Sequence, residues 1–76
     1  MSKAYREEDL VALAKRFRMK AGIRRAQAAR DMDVSQTSIF HAEEAPAQSL
    51  RHLRIRMIEM YSPYKIVSRI FLVKKR

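Results

Sequence analysis

Gly22 is the only glycine in this chain of 76 residues, and only two prolines accompany it. Because glycine and proline are the residues that most readily interrupt regular structure, the chain has few places to break and its composition favours helices. Glycine adopts left-handed backbone dihedrals at low cost, so Gly22 is expected to end one helix and turn the chain into the next. The sequence therefore predicts a small helical bundle divided at this residue.

Apolar residues recur at three- and four-residue intervals on both sides of Gly22, which predicts amphipathic helices. The first helix is expected over about 6–20, the second over 25–31, and the third from a Ser35 N-cap to about residue 43. Asp33 is expected at the turn between the last two, and Pro46 is expected to open a fourth helix that ends at Ser62 and Pro63. The predicted inward-facing residues are Leu10, Leu13, Ala14, Phe17, Ala28, Ala29, Met32, Ile39, Ala42, Leu50, Leu53, Met57 and Met60.

The tail over 64–73, YKIVSRIFLV, is rich in β-branched and aromatic residues that roughly alternate with polar ones, which favours a strand. The spacing of Ile66, Ile70 and Val73 also fits a short helix. A strand needs a partner edge, supplied either by a second copy of the chain or by its own domain. We therefore divide the chain into a helical domain, 1–61, and a basic, apolar tail, 62–76, that serves dimerisation or completes the core.

The net charge is +9, and the tail third carries most of the excess: residues 51–76 hold eight Lys/Arg and one Glu. Residues 15–30 form a second basic stretch, which contains no Asp or Glu. Such zones favour a polyanionic partner, because Lys and Arg that neutralise phosphates release counterions. The chain has no cysteine and no long apolar run, so it is expected neither to rely on disulfides nor to contact a membrane. The phosphate-binding candidates are Arg24, Arg25, Arg30, Arg51 and Arg54.

The segment from Gly22 to Glu43, GIRRAQAARDMDVSQTSIFHAE, resembles the helix-turn-helix domain of the Cro and phage-repressor superfamily, also called the XRE type. The family pattern is matched without a gap at Gly22, Ile23, Ala28, Ala29, Met32, Val34, Ser35, Ile39 and Glu43. The chain departs from it at Arg24, Arg25 and Asp33. The resemblance covers about 6–61 and implies an all-α fold, a lambda-repressor-like bundle of four to five helices, with a C-terminal strand for dimerisation as one alternative for the tail.

The resemblance also implies roles for individual side chains. In repressors of this family the third helix enters the major groove. Its base-reading positions are matched by Gln36, Thr37 and His41, and Ser38 lies where close approach needs a small residue. Arg18 and Glu43 match a pair that forms a salt bridge between the first and third helices. Phe40 is expected either to touch thymine methyl groups or to pack on the fourth helix.

The expected function is therefore sequence-specific binding of double-stranded DNA by a transcriptional regulator. By family resemblance it is a cytoplasmic, bacterial or phage-encoded autorepressor that binds a pseudo-palindromic operator as a homodimer. Two alternatives remain: an antitoxin or adaptor whose main partner is a protein, and a non-specific basic RNA binder. An enzyme, a metal site and a cofactor are not expected, because the chain has two histidines, no cysteine and no glycine-rich phosphate loop.

Overall fold

The protein is built mostly from helices, as the all-α class prediction requires. The structure is a computed structural model that describes residues 3–4, 6–66 and 72–75. Within these residues there are four helices: α1 (Glu7–Lys20), α2 (Arg25–Met32), α3 (Gln36–Glu44) and α4 (Arg51–Tyr61). No fifth helix occurs among them. None of the four is long and apolar enough to cross a membrane.

The two predicted turns on either side of α2 are confirmed by their backbone geometry. Gly22 has a φ of 74°, and its N–H donates to the carbonyl of Met19 at 3.0 Å. Asp33 has φ 59° and ψ 48°, a left-handed conformation that closes α2. Ser35 then caps α3, since its Oγ accepts from the N–H of Ser38 at 3.1 Å. α2 and α3 are thus joined by a turn of three residues.

The predicted start of the fourth helix is wrong by several residues. Pro46 opens only a short turn, in which the N–H of Gln48 donates to the carbonyl of Ala45, and α4 begins at Arg51. Ala45 has an extended φ of −128° and ψ of 81°, as expected of a residue that precedes proline and therefore avoids the helical region. The loop between α3 and α4 is consequently longer than the sequence suggested.

All four helices contribute side chains to one hydrophobic core. Alanines of α2 and α3 are buried there, which allows those two short helices to pack closely. The prediction for Met60 is wrong, because its side chain is 54% exposed and Ile58 occupies the core in its place. The buried core residues are Leu10, Ala14, Ala28, Ala29, Met32, Ile39, Ala42, Leu53, Met57 and Ile58.

The tail forms strands that pair within the chain. β2 (Tyr64–Ile66) and β3 (Leu72–Lys75) are antiparallel, with Ile66 opposite Val73, and β1 (Lys3–Ala4) pairs with the other edge of β3. Extended structure is confirmed at 64–66 and 72–73, but the predicted single strand is wrong, because these two segments belong to different, antiparallel strands; residues 67–71 lie outside the described residues. The sheet order is β1-β3-β2, so β3 has its own chain on both sides.

This arrangement agrees with the alternative in which the tail completes its own domain. The ring of Tyr64 lies 5.8 Å from that of Phe17 in α1, and Ile66 packs against the core. The outer edge of β2 is also occupied, since the N–H of Ile66 donates to Oε2 of Glu59 at 2.9 Å. Both edges of β3 are paired within the chain in this arrangement, and dimerisation stays a prediction.

Candidate nucleic-acid interface

One face of α3 is open to solvent while the opposite face is anchored in the core. Ile39, Ala42 and Glu43 are buried, and these three positions share one side of the helix. On the other side, Gln36 and Thr37 in the first turn are exposed, Phe40 follows one turn later, and His41 is half-buried beside it. The structure therefore brings together the three predicted base-reading residues, with Phe40 among them.

Ser38 does not belong to this exposed face. Its side chain is half-buried toward the α3–α4 loop, where it lines a groove with Val34 and Leu50. Its hydroxyl also lies 3.0 Å from Oγ of Ser35, within the N-terminal cap of the helix. Ser38 thus helps to fix the start of α3, and its role at a point of close approach to DNA stays a prediction.

A charged cluster ties α3 to α1 and includes the pair implied by the family resemblance. Glu43 is only 3% exposed and accepts two hydrogen bonds from Arg18, from Nε at 2.5 Å and from NH2 at 3.0 Å. Arg18 NH1 donates in addition to the carbonyl of Ile23 at 2.6 Å, just after the Gly22 turn. One guanidinium therefore fixes both the turn and the end of α3.

Arg25, predicted to bind phosphate, is drawn into the same cluster. Its Nε donates to Oε1 of Glu43 at 3.1 Å, and its NH2 donates to Oε2 of Glu44 at 3.2 Å. Glu44 also accepts from Lys15, a hydrogen bond that lowers the pKa of the Glu44 carboxyl. Because two carboxylates already hold Arg25, its charge is less available to DNA than the sequence indicated.

Arg25 has a third contact, which settles the two alternatives left open for Phe40. Its guanidinium carbon lies 5.1 Å from the centroid of the Phe40 ring, a cation–π geometry. Phe40 is 47% exposed and its ring lies 5.9 Å from that of His41. Phe40 therefore lies on the outer surface, and the alternative that it packs on α4 is wrong.

The assignment of Arg54 to phosphate is wrong, because the side chain is completely buried. Its Nε and NH2 donate to the carbonyls of Ala42 and Ala45 at 3.0 and 2.8 Å, and its NH1 donates to Oε2 of Glu7 at 2.7 Å. Ala42 lies in the last turn of α3 and Ala45 is its C-cap, where carbonyls lack partners within the helix. Arg54 therefore serves as an internal cap that joins α3, α4 and α1.

The sequence contains a signal for the burial of Arg54, although the count of basic residues assigned it to phosphate binding. Arg54 follows Leu53 and precedes Met57 by three positions, so it lies on the apolar stripe of α4. Arg51 and Arg56 lie off that stripe and are exposed. A basic residue on a buried helix face needs acceptors nearby, and only the fold shows where they come from.

The other predicted phosphate-binding residues remain at the surface. Arg24 is exposed at the N-cap of α2, and Arg30 is exposed near the end of that helix, where its NH2 donates to Gln27 at 2.8 Å. Arg51 is exposed at the start of α4, with its Nε 3.8 Å from a carboxylate oxygen of Glu7. Arg24 and Arg30 thus lie near opposite ends of α2 with exposed side chains.

A hydrogen bond between α2 and α4 was also missed by the sequence analysis. The hydroxyl of Tyr61 donates to Oδ2 of Asp31 at 2.7 Å, and Gln27 donates to Oδ1 of the same carboxylate at 2.7 Å. These two bonds, with that from Tyr61 the larger effect, lower the pKa of Asp31. Burial and the adjacent carboxylate raise the pKa of the Tyr61 phenol. Side-chain pairs 30 positions apart leave no local pattern in a sequence.

Comparison with known proteins gave no match among protein-family models, curated proteins or solved structures. Among the described residues, no group of three or more His, Asp or Glu lies close enough together to hold a metal ion. The surface consists of an anchored helix, α3, with polar side chains exposed in its first turn. The preceding helix, α2, carries exposed arginines.

Proposed function

We propose that this protein binds double-stranded DNA in a sequence-specific manner, with α3 in the major groove. The observation that carries the proposal is the exposure of Gln36 and Thr37 in the first turn of a short helix that follows another after a three-residue turn. The first residues of a recognition helix are those that reach base edges. Gln36 is suited to a bidentate pair with adenine, and Thr37 to a thymine methyl or a hydrogen-bonding edge.

The way α3 is held supports this role. Its buried face packs into the core, Arg18 and Arg25 bind Glu43 on one side, and Arg54 caps its last turn. Base recognition requires side chains in fixed positions, and a site on an anchored helix satisfies that requirement better than one on a loop. The internal ion pairs thus orient the exposed face of α3.

Charge around α3 supports a phosphate backbone as the second point of contact. Arg24 stands at the N-cap of α2, where no side chain accepts from the first-turn N–H groups. Those N–H groups and the positive end of the helix dipole favour an anion. Arg30 is exposed on the same helix, and the chain as a whole has a net charge of +9. Contacts of this kind position a protein on DNA without reading its sequence.

The resemblance to the Cro and phage-repressor superfamily extends the proposal to regulation. We infer a homodimer on a pseudo-palindromic operator, acting as a repressor of its own transcription unit. Because β3 is flanked by its own chain, we propose that the dimer contact lies elsewhere than on β3. A two-fold dimer places two copies of α3 in successive major grooves.

The proposal is tested by selecting duplexes from a randomised pool and measuring the affinity for the selected and a scrambled duplex over a range of salt concentrations. A specific regulator prefers the selected duplex by ~10³-fold or more at physiological salt. The Gln36→Ala variant is expected to lose ~1 to 3 kcal/mol at one base pair. Gln48→Ala, which alters an exposed glutamine of the loop after α3, is the matched control and should bind as the parent does.

Other outcomes separate the alternatives. Equal binding to all duplexes with a steep salt dependence contradicts specific recognition and leaves a basic nucleic-acid binder. The absence of binding to any duplex leaves the antitoxin or adaptor alternative, in which the exposed face of α3 contacts a protein.

A further inference from the structure

Phe40 is an unusual residue to find at the centre of a polar surface. It lies three and four positions after Thr37 and Gln36, so the three side chains share the exposed side of α3. A single exposed apolar residue needs no explanation by itself. Its position within the surface proposed to enter the groove, and the contacts that fix it there, make Phe40 informative.

The ring of Phe40 is held in place from one side. Arg25 lies over it at 5.1 Å, and the same guanidinium is fixed by hydrogen bonds to Glu43 and Glu44 in the last turn of α3. Arg25 therefore covers one face of the ring. The side chain is still 47% exposed, so the rest of the ring is accessible to a partner. Restricting the ring before binding reduces the entropy that binding would otherwise cost.

The major groove offers one apolar group to such a ring. Adenine, guanine and cytosine present hydrogen-bond donors and acceptors there, whereas thymine also presents its 5-methyl group. An aromatic ring cannot hydrogen-bond to the donors and acceptors of the base edges. Covering those groups with the ring is unfavourable, because they lose their hydrogen bonds to water. Burying a methyl group against the ring is favourable, at about 0.8 kcal/mol for a methylene-sized group.

We propose that Phe40 contacts the 5-methyl group of a thymine and makes the protein prefer thymine at that position of its site. This inference rests on the proposed binding of α3 in the major groove and adds a determinant to Gln36 and Thr37. Phe40 thereby selects a base by its shape and apolar surface, while Gln36 selects by hydrogen bonds.

The test uses the full chain and the duplex selected above, with each thymine replaced in turn by uracil. Uracil lacks the 5-methyl group and keeps the hydrogen-bonding edge of thymine, so the comparison isolates the methyl contact. The parent protein is expected to lose about fourfold in affinity at one thymine of each half-site, where Phe40 makes its contact. The Phe40→Ala variant should bind the thymine and uracil duplexes equally at that position. Met60→Ala, which truncates an exposed apolar side chain of α4, should keep the parent's preference.

Each result decides the question. Specific binding that is insensitive to every uracil substitution overturns the methyl contact and leaves the proposed function intact. A preference for thymine that survives in Phe40→Ala assigns the contact to another residue, such as Thr37, and also overturns the inference. If the parent protein binds all sequences equally, both the proposed function and this inference fail. The uracil scan of the parent protein needs no variant, so an insensitive scan overturns the inference even if truncation of Phe40 disturbs the fold.

Discussion

Arg18 and Glu43 lie 25 positions apart and form a two-point ion pair that joins the end of α1 to the end of α3. Both side chains are buried, and Glu43 accepts a further hydrogen bond from Arg25 of α2. Three helices therefore meet at one carboxylate. Because buried charges are costly without partners, the contact enforces a single relative placement of these helices.

Replacing the carboxylate by its neutral isostere tests this dependence. We expect Glu43→Gln to lower the free energy of unfolding by ~3 to 5 kcal/mol, since Arg18 would remain buried with its charge uncompensated. The measurement is equilibrium unfolding in urea, followed by circular dichroism. Glu44→Gln, at the adjacent and exposed position, is the control and should have a much smaller effect. Equal effects of the two substitutions would show that the buried pair has no special role.

Arg54 gives a second prediction on stability. In Arg54→Met the carbonyl of Ala42 loses its side-chain donor, that of Ala45 keeps only the N–H of Gln48, and Glu7 loses its closest cation. Thermal or urea unfolding should show a loss of ~3 kcal/mol or more, which is a large fraction of the total for so small a domain. Arg56→Met removes an exposed arginine of the same helix and should change stability little. A large effect of Arg56→Met with little effect of Arg54→Met would contradict the internal cap.

Tyr61 and Asp31 predict a dependence of stability on pH. The pKa of Asp31 is lowered in the folded state, chiefly by the hydrogen bond from Tyr61. The contribution of Asp31 to the free energy of unfolding is therefore fully present above its unfolded pKa of about 3.9, and it is lost as the pH falls through the lower folded pKa. In Tyr61→Phe the pKa of Asp31 should rise toward its usual value, measured by NMR titration of the side-chain carboxyl. In an Asp31→Asn background, Tyr61→Phe should no longer alter the acid limb of the stability profile. An unchanged Asp31 titration in Tyr61→Phe would refute the assignment.

Local patterns in the sequence predicted the helices and turns well, because their causes are local. The dihedrals of Gly22 and Asp33, the Ser35 cap and the apolar spacing of α1 and α3 each depend on residues within a few positions. The start of α4 was predicted wrongly because proline at residue 46 is compatible with both a helix start and a turn. The pairing of β1 with β3 depends on contacts between the two ends of the chain.

The candidate site was predicted less completely, because the fate of each charge depends on the fold. Arg24, Arg25 and Arg54 are equivalent in a count of basic residues. In the structure, Arg24 is exposed, Arg25 is bound by two carboxylates of α3, and Arg54 is enclosed by carbonyls. Arg54 alone carries a local signal, its position on the apolar stripe of α4, whereas the carboxylates that hold Arg25 come from another helix and leave no pattern near it.

This distinction leads to a prediction about the salt dependence of DNA binding. Neutralising a phosphate contact lowers the slope of log K against log salt by about 0.9 and weakens binding to all sequences alike. We expect such changes for Arg24→Gln and Arg30→Gln, and a smaller one for Arg25→Gln, whose guanidinium is held by Glu43 and Glu44.

Lys65→Gln removes an exposed charge from β2 and is the control. The measurement is fluorescence anisotropy on a scrambled duplex at several salt concentrations. A full unit lost in Arg25→Gln, with no change in Arg24→Gln or Arg30→Gln, would mean that the ion pairs of Arg25 break on binding and that DNA approaches from the α1 side of α3.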